Sequence, residues 1–244
     1  MTFNRKIWLN WKTRKPCPNC ETGVLIPQTK KGLMKFETSY SKEMNSYGGF
    51  NYTEYIFAIN LKCSNCNEII VVSGKMVEEN YPEDEREEIQ RNIIPISFIP
   101  APKIISIPKS CPKSISKLLN SSFELYWLDI SSCANKIRIS IEVLLTELKV
   151  NKTKIVNSKR KNLTLHERIL LYQHVNHEVV DYLLAIKWIG NAGSHFTDIT
   201  KENILDAYEL LEYSLEILYN DKKKKLVKMS KEINKKKKPI KKNN

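Results

Sequence analysis

The sequence Cys-Pro-Asn-Cys at residues 17–20 returns in closely similar form, as Cys-Ser-Asn-Cys, at residues 63–66. One such pair lets two thiolates from a single tight turn meet one ion, and two pairs complete a tetrahedral Cys₄ site. Since a redox pair needs no second copy, the repetition favours metal over disulfide chemistry. The predicted ligands of a structural zinc ion are Cys17, Cys20, Cys63 and Cys66. An iron–sulfur cluster would use the same ligands.

Strand-like runs surround the two cysteine pairs. Residues 24–26, 52–61 and 69–72 are short β-rich segments bounded by Gly and Asn. They predict a small zinc-ribbon-like β module over residues 1–80. Because such a module has little apolar content, it needs the metal to fold, and we expect loss of any ligand to unfold it and to spare the rest of the chain.

Residues 81–111 differ in composition from both neighbours. Seven acidic residues crowd positions 78–88, and half of the ten prolines lie between positions 95 and 112. Such proline spacing forbids a helix and favours an extended connector. The sequence therefore predicts an acidic, proline-rich linker between the β module and a second domain.

After Pro112 the hydrophobic period becomes that of helices. Four amphipathic helices are predicted, over residues 112–127, 130–149, 164–189 and 201–220. Thr164 and Glu167 form a capping box at the start of the third. Helices of this kind with connectors of mixed length describe an antiparallel four-helix bundle over residues 112–221, so the predicted fold class is α+β.

Most of the net charge of +13 lies at the carboxyl end. Residues 222–244 hold twelve lysines and one glutamate, or +11, and are expected to form a disordered tail. Two further basic segments are residues 5–15, where Trp8 and Trp11 are interleaved, and residues 151–162, with five basic residues and no acidic one. Phosphate neutralisation with aromatic stacking is typical of nucleic-acid binding, whereas a solubilising bias of composition is the alternative.

The sequence also predicts the cellular compartment of the protein. It has no run of about 18 apolar residues and no apolar segment followed by a cleavage site, so no contact with a membrane and no secretion are expected. Paired cysteines without an export signal indicate a reducing compartment, and the cytoplasm is predicted.

The nonapeptide Lys-Trp-Ile-Gly-Asn-Ala-Gly-Ser-His occupies positions 187–195 and holds both glycines that follow Pro112. Gly190 is expected to adopt a positive φ as a helix C-cap, and Gly193 to allow a close turn. A purely structural interpretation is a tight helix–helix connection in which Asn191 and His195 satisfy backbone groups.

Two motifs together resemble an uncharacterised bacterial domain family found in restriction-endonuclease and phage-defence proteins, often preceded by zinc-ribbon cysteines. One is Arg-x-x-x-Glu on an early helix, and the other is a basic residue-x-x-Gly-Asn-x-x-x-His before the last helix. The matching residues are Arg138, Glu142, Lys187, Gly190, Asn191 and His195. That family is grouped with the HEPN superfamily, whose helical domains include metal-independent RNases, toxins and antiphage effectors.

The resemblance implies candidate catalytic residues His195, Asn191 and Lys187. HEPN RNases carry an arginine followed, after four to six residues, by a histidine. Counted back from His195, positions 188–190 hold Trp, Ile and Gly, so that arginine is missing. Cleavage of RNA without metal needs a base and a cation for the developing phosphorane charge. His195 can be the base, while Lys187 or Arg138 would have to supply the cation.

These features favour a zinc-binding, nucleic-acid-associated accessory protein of a phage-defence, restriction or mobile-element system, with no enzymatic activity required. Two alternatives stay open: a metal-independent RNase effector or toxin that uses His195, and a protein–protein adaptor that binds no nucleic acid. Because superfamily domains often pair through their helices, a homodimer is expected, with Trp127, Trp188 and Tyr182 as candidate contacts. A protein of the same defence system is a further expected partner.

Overall fold

The computed structural model describes residues 4–10, 13–28, 32–48, 52–83, 86–192 and 199–238. Strands dominate the first hundred residues and helices dominate the rest, which confirms a mixed α+β fold. Within the described residues, no helix is both long and apolar enough to cross a lipid bilayer.

Five strands form one antiparallel sheet. They are β1 (Leu25–Pro27), β2 (Leu33–Glu37), β3 (Tyr52–Cys63), β4 (Ile69–Glu83) and β5 (Arg86–Ile99), accompanied by helices α1 (Arg5–Leu9) and α2 (Ser39–Ser46). Strand β3 pairs with β4 along one side and with β1 and β2 along the other. Phe57, Leu61 and Cys63 of β3 are all buried, as the two-residue period of a half-buried strand requires.

The stretch predicted as an acidic, proline-rich linker is largely strand. Strand β5 pairs with β4 from Val71↔Ile99 to Glu83↔Arg86, so the acidic cluster lies at the tip of a long hairpin. Pro95 fits because β5 is an edge strand and because the register shifts opposite it, between Ser73 and Gly74. A Cβ at Gly74 would stand 2.9 Å from the Pro95 Cα, so this bulge requires glycine. Only residues 100–112 connect the sheet to the helices.

In the described part of the second half there are six helices and one small hairpin. They are α3 (Lys113–Leu128), α4 (Ile130–Glu147), α5 (Leu165–Leu171), α6 (His177–Ala192), α7 (Lys201–Tyr219) and α8 (Asp221–Lys236), with strands β6 (Thr153–Val156) and β7 (Lys159–Asn162) between α4 and α5. Helix α4 packs against α3, α6 and α7, and α6 packs against α7.

Two sequence predictions for these helices were wrong in part. The capping box of Thr164 and Glu167 is present, but the helix it opens ends at Leu171. A new helix begins at His177, because the Asn176 side chain accepts a hydrogen bond from the Val179 amide at 3.1 Å and so acts as a cap. Residues 222–236 of the predicted disordered tail belong to helix α8. Lysine is a good helix former, and Glu232 pairs with Lys236 one turn later.

The sheet and the helices share one hydrophobic core. The rings of Phe98 on β5 and Trp127 on α3 lie 4.3 Å apart, and the Tyr126 hydroxyl donates a hydrogen bond to the Trp8 carbonyl at 3.4 Å. Arg5 forms ion pairs with Asp206 and Glu209 of α7, at 2.6 Å each. The amino-terminal segment is thereby fixed between the two halves of the chain.

This packing changes the interpretation of the basic segment at residues 5–15. Arg5 is ion-paired, while Trp8 and Lys15 are only 4% and 2% exposed. The Lys15 Nζ donates hydrogen bonds to the carbonyls of Asn10 and Thr13 at 2.7 and 2.8 Å. The contacts of these side chains stabilise the fold, so the three residues do not form an exposed surface for binding nucleic acid. Trp11 and Lys12 lie outside the described residues.

Candidate metal centre

The four predicted ligand sulfurs meet at one point. All four Sγ atoms lie within 4.8 Å of one another, with Cys17 and Cys66 at 3.7 Å and Cys20 and Cys63 at 3.6 Å. Four sulfurs at about 2.3 Å from a tetrahedral zinc ion would be separated by about 3.8 Å. The spacing therefore fits a Cys₄ metal site, as the sequence predicts. Iron with the same four ligands fits equally well.

The two knuckles have matching backbone geometry. In the first, the Cys17 amide donates to the Gly23 carbonyl at 2.9 Å, and in the second the Cys63 amide donates to the Glu68 carbonyl at 2.8 Å. Each turn closes four residues after its first cysteine with a left-handed residue, Glu21 at φ 59° and Asn67 at φ 63°. This conformation turns both cysteines of a pair toward the same point.

Hydrogen bonds to sulfur prepare the site for anionic thiolates. The amides of Asn65 and Cys66 point at the Cys63 Sγ, at 3.3 and 3.4 Å, and the Gly23 amide points at the Cys20 Sγ at 3.3 Å. The side-chain amide of Asn19 lies 3.7 Å from the Cys66 Sγ. Donors of this kind favour the charged form of a thiol, the form that binds metal.

The acidity of the thiols follows from these contacts. Hydrogen bonds from the Thr22 side chain and the Gly23 backbone lower the pKa of Cys20 to about 5. Burial raises the pKa of Cys17 to about 12. Four thiolates at these distances repel one another, so full deprotonation requires a cation at their centre. The donor set therefore matches a divalent metal that holds four sulfurs and leaves no open position, which is a structural role.

Gly23 is part of this site, although the sequence analysis did not select it. A Cβ at Gly23 would collide with the Cys63 Sγ and stand 2.8 Å from the Asn65 Cβ. The first knuckle thus approaches the second so closely that only hydrogen fits between them. A glycine three residues after a Cys-x-x-Cys pair is the signal that would have identified it.

We expect Gly23→Ala to weaken metal binding while all four cysteines are retained. The added methyl group must push the Cys63 sulfur away from the centre. Displacement of supporting groups around a metal typically costs about 10- to 100-fold in affinity. Competition with a chromophoric chelator measures this change. Gly32→Ala is the matched control, because its Cβ meets only the Gln28 Cβ, at 3.4 Å. Wild-type affinity in Gly23→Ala would contradict the geometry.

Three of the residues that carry the family resemblance, Arg138, Lys187 and Gly190, lie close together. Gly190 lies inside α6, so the expected positive-φ C-cap is wrong. A Cβ at Gly190 would stand 3.0 Å from the Arg138 Cβ and 3.5 Å from the Ala134 carbonyl oxygen. Glycine is therefore needed for the close approach of α6 to α4, which is a packing role rather than a conformational one.

Lys187 and Arg138 are neighbours in this contact. Lys187 is 7% exposed, and its Nζ lies 3.1 Å from the centroid of the Trp188 ring. Burial and the Arg138 charge lower the pKa of Lys187. Arg138 pairs with Glu142 at 3.3 Å. Asn191 is half-buried near the end of the same helix, and His195 lies outside the described residues.

The three aromatic residues expected to contact a second copy in a homodimer differ in their exposure. Trp127 is 6% exposed and belongs to the core, so it is not available for an interface. Trp188 is 60% exposed, and Tyr182 stacks edge-to-face on Tyr213 with ring centroids 5.6 Å apart. Trp188 is thus the accessible aromatic residue of the three.

The fold and the site define a mixed α+β protein with a four-cysteine cluster able to hold one metal ion. The family model for a domain of unknown function, DUF4145, matches residues 120–242, which is half of the chain, and the chain belongs to that family. A second model, for domain of unknown function DUF8608, matches residues 2–101, which contain both cysteine pairs. Comparison with curated proteins and with solved structures gives no match.

Proposed function

We propose that this protein is a zinc-stabilised accessory protein that binds nucleic acid through the phosphate backbone. The resemblance to HEPN-like domains of restriction and phage-defence proteins supports a role in such a system, or in a mobile element. The observation that supports nucleic-acid binding best is the β6–β7 hairpin. Four of the five basic residues between positions 152 and 161 form no ion pair within the described part of the chain.

The hairpin has the geometry of an exposed basic ribbon. Asn157 and Ser158, both at positive φ, make a two-residue turn, which gives a regular antiparallel pair. Every strand residue except Thr153 is exposed. Only Lys154 has a carboxylate partner, Glu167.

Cross-strand pairing concentrates the charge on one face. Lys154 lies opposite Lys161, and Val156 lies opposite Lys159. These two cross-strand pairs lie on the same face of the hairpin, because they are separated by two residues along each strand. Since Glu167 pairs with Lys154, Lys159 and Lys161 are the charges of this face that have no ion-pair partner among the described residues and can bind phosphate. A two-stranded ribbon also has the dimensions that the major groove of duplex DNA admits.

The proposal predicts that neutralising the hairpin weakens binding and its salt dependence. In a variant with Lys159 and Lys161 changed to glutamine, two lost phosphate contacts would reduce the log–log salt slope for duplex DNA by roughly 1.8. Fluorescence anisotropy of labelled duplex DNA and single-stranded RNA, measured at several salt concentrations, gives the slope.

The matched control changes the exposed residues Lys113 and Lys117 to glutamine, with the same loss of charge. It should keep most of the wild-type slope. Equal losses in both variants would show that overall charge, not the hairpin, carries the binding.

RNA cleavage is the second candidate function. In this alternative Lys187 or Arg138, which are neighbours beside Gly190, would have to supply the cation in place of the missing motif arginine. The RNA probe of the binding experiment also tests this alternative. We expect the RNA to stay intact with the wild-type protein. Cleavage that is lost in His195→Ala would instead favour the RNase.

A further inference from the structure

A cleft of about 730 Å³ lies where the amino-terminal segment meets the middle of the β4–β5 hairpin and the helices. Trp8 and Asn10 form one wall, Gln90 and Arg91 of β5 form another, and Trp127 of α3 and Lys201 of α7 form the third. Its volume falls in the range of small-molecule sites, roughly 300–1,000 Å³. The cleft shares no lining residue with the cysteine cluster or with the β6–β7 hairpin.

Lys201 presents a cation to this cleft. Its Nζ lies 5.5 Å from the centroid of the Tyr126 ring and 5.4 Å from that of Trp127. Burial lowers the pKa of Lys201, and the charge of the neighbouring Glu202 opposes this shift. Within the described residues, no carboxylate lies in ion-pairing distance of its Nζ. A partly buried ammonium group without a counter-ion is unfavourable and attracts an anion.

Trp127 adds a buried hydrogen-bond donor at the same wall. Its side chain is 6% exposed, and its Nε1 has no hydrogen-bond acceptor among the described residues. The Trp127 ring lines the cleft while its Nε1 is enclosed by protein, so the indole can report a ligand bound against the ring without being its hydrogen-bond donor.

A second positive charge, that of Lys15, lies close to the Trp127 ring. The Lys15 Nζ, held by the Asn10 and Thr13 carbonyls, lies 5.9 Å from the centroid of the Trp127 ring. Arg91, which pairs with Glu78 at 2.8 Å, and Glu79 also line the cleft. Lys15 and Lys201 thus place two cations close to the Trp127 ring, on the side of the cleft that Trp127 forms.

We propose that this cleft binds a small organic oxyanion of about mononucleotide size. Its phosphate or carboxylate group pairs with Lys201 beside the Trp127 ring, and the side-chain amides of Gln90 and Asn92 contact its polar body. This site goes beyond the nucleic-acid proposal and does not depend on it, since the hairpin and the carboxyl-terminal lysines take no part.

The indole N–H resonances of the four tryptophans in a ¹H–¹⁵N spectrum provide a direct test. AMP serves as the phosphate probe and citrate as the carboxylate probe, each added to the full chain at concentrations up to about 10 mM. We expect at least one probe to shift the Trp127 resonance saturably and to leave that of the exposed Trp188 in place. Trp127→Phe assigns the resonance.

Lys201→Gln should weaken binding of that probe at least tenfold, and Lys117→Gln, on the exposed surface of α3, should not. The dispersion of the same spectra shows that each variant is folded. The proposal is overturned if neither probe moves the Trp127 resonance, or if Lys201→Gln and Lys117→Gln titrate alike.

Discussion

Cys63→Ser is expected to abolish metal binding and to unfold the region around the two knuckles. Cys63 is the last residue of β3, the strand that pairs with β1, β2 and β4, and its sulfur lies 3.6 Å from that of Cys20. Structural zinc contributes about 10–16 kcal/mol of apparent binding free energy in small zinc-dependent peptides, as much as a whole domain's stability of about 5–15 kcal/mol. Loss of one of four ligands therefore removes most of what holds the knuckles together.

Elemental analysis and thermal unfolding measure this effect. The wild-type protein should carry one equivalent of zinc or iron, and the analysis also decides between these metals. Cys111→Ser is the control, because Cys111 is buried but lies outside the cluster, and it should keep the full equivalent. Less than half an equivalent of either metal in the wild-type protein would contradict the site.

The shared core determines how far the unfolding spreads. The contact between Phe98 and Trp127 joins the sheet to α3, so the helices lose packing when the sheet opens. Helix–helix packing among α3, α4, α6 and α7 is separate from the knuckles. We therefore expect helical circular dichroism to persist in Cys63→Ser, while the near-ultraviolet signal of Trp127 changes.

The metal centre was predictable from sequence because ligation depends on local spacing. A Cys-x-x-Cys turn places two sulfurs side by side without help from the rest of the fold. A complete site then requires only that the fold bring two such turns together. The helices were predictable for a similar reason, since their period is local: α3, α4 and α7 begin and end within three residues of the predicted bounds.

The hairpin of β4 and β5 was not predictable in this way. Its acidic tip and its prolines are typical of a linker, and what makes it a strand is pairing with a partner that the composition does not reveal. The same limit applies to the cleft, because Trp8, Trp127 and Lys201 are brought together from three distant parts of the chain. Gly190 shows a third limit: the sequence identifies a glycine but not whether its conformational freedom or its small size is used.

Deleting residues 222–244 is the second change with a large expected effect. This segment carries twelve lysines and one glutamate, and much of it forms helix α8. Each phosphate contact contributes about 0.9 to the log–log salt slope for duplex DNA, and six contacts correspond to a loss of about 10³-fold in affinity between 50 and 200 mM salt. If half of the lysines contact phosphate, the deletion should lower the slope by roughly 5 and weaken binding at low salt by orders of magnitude.

The deletion should leave the rest of the fold intact. Helix α7 ends at Tyr219, and the apolar side chains of Leu226, Val227 and Met229 in α8 are exposed, so their removal uncovers little core. An unchanged thermal midpoint checks this. A full-length variant with the twelve lysines changed to glutamine separates charge from chain length and should bind as weakly as the truncated protein. If both variants keep wild-type affinity at moderate salt, the lysines only aid solubility, and a protein–protein adaptor becomes the better account.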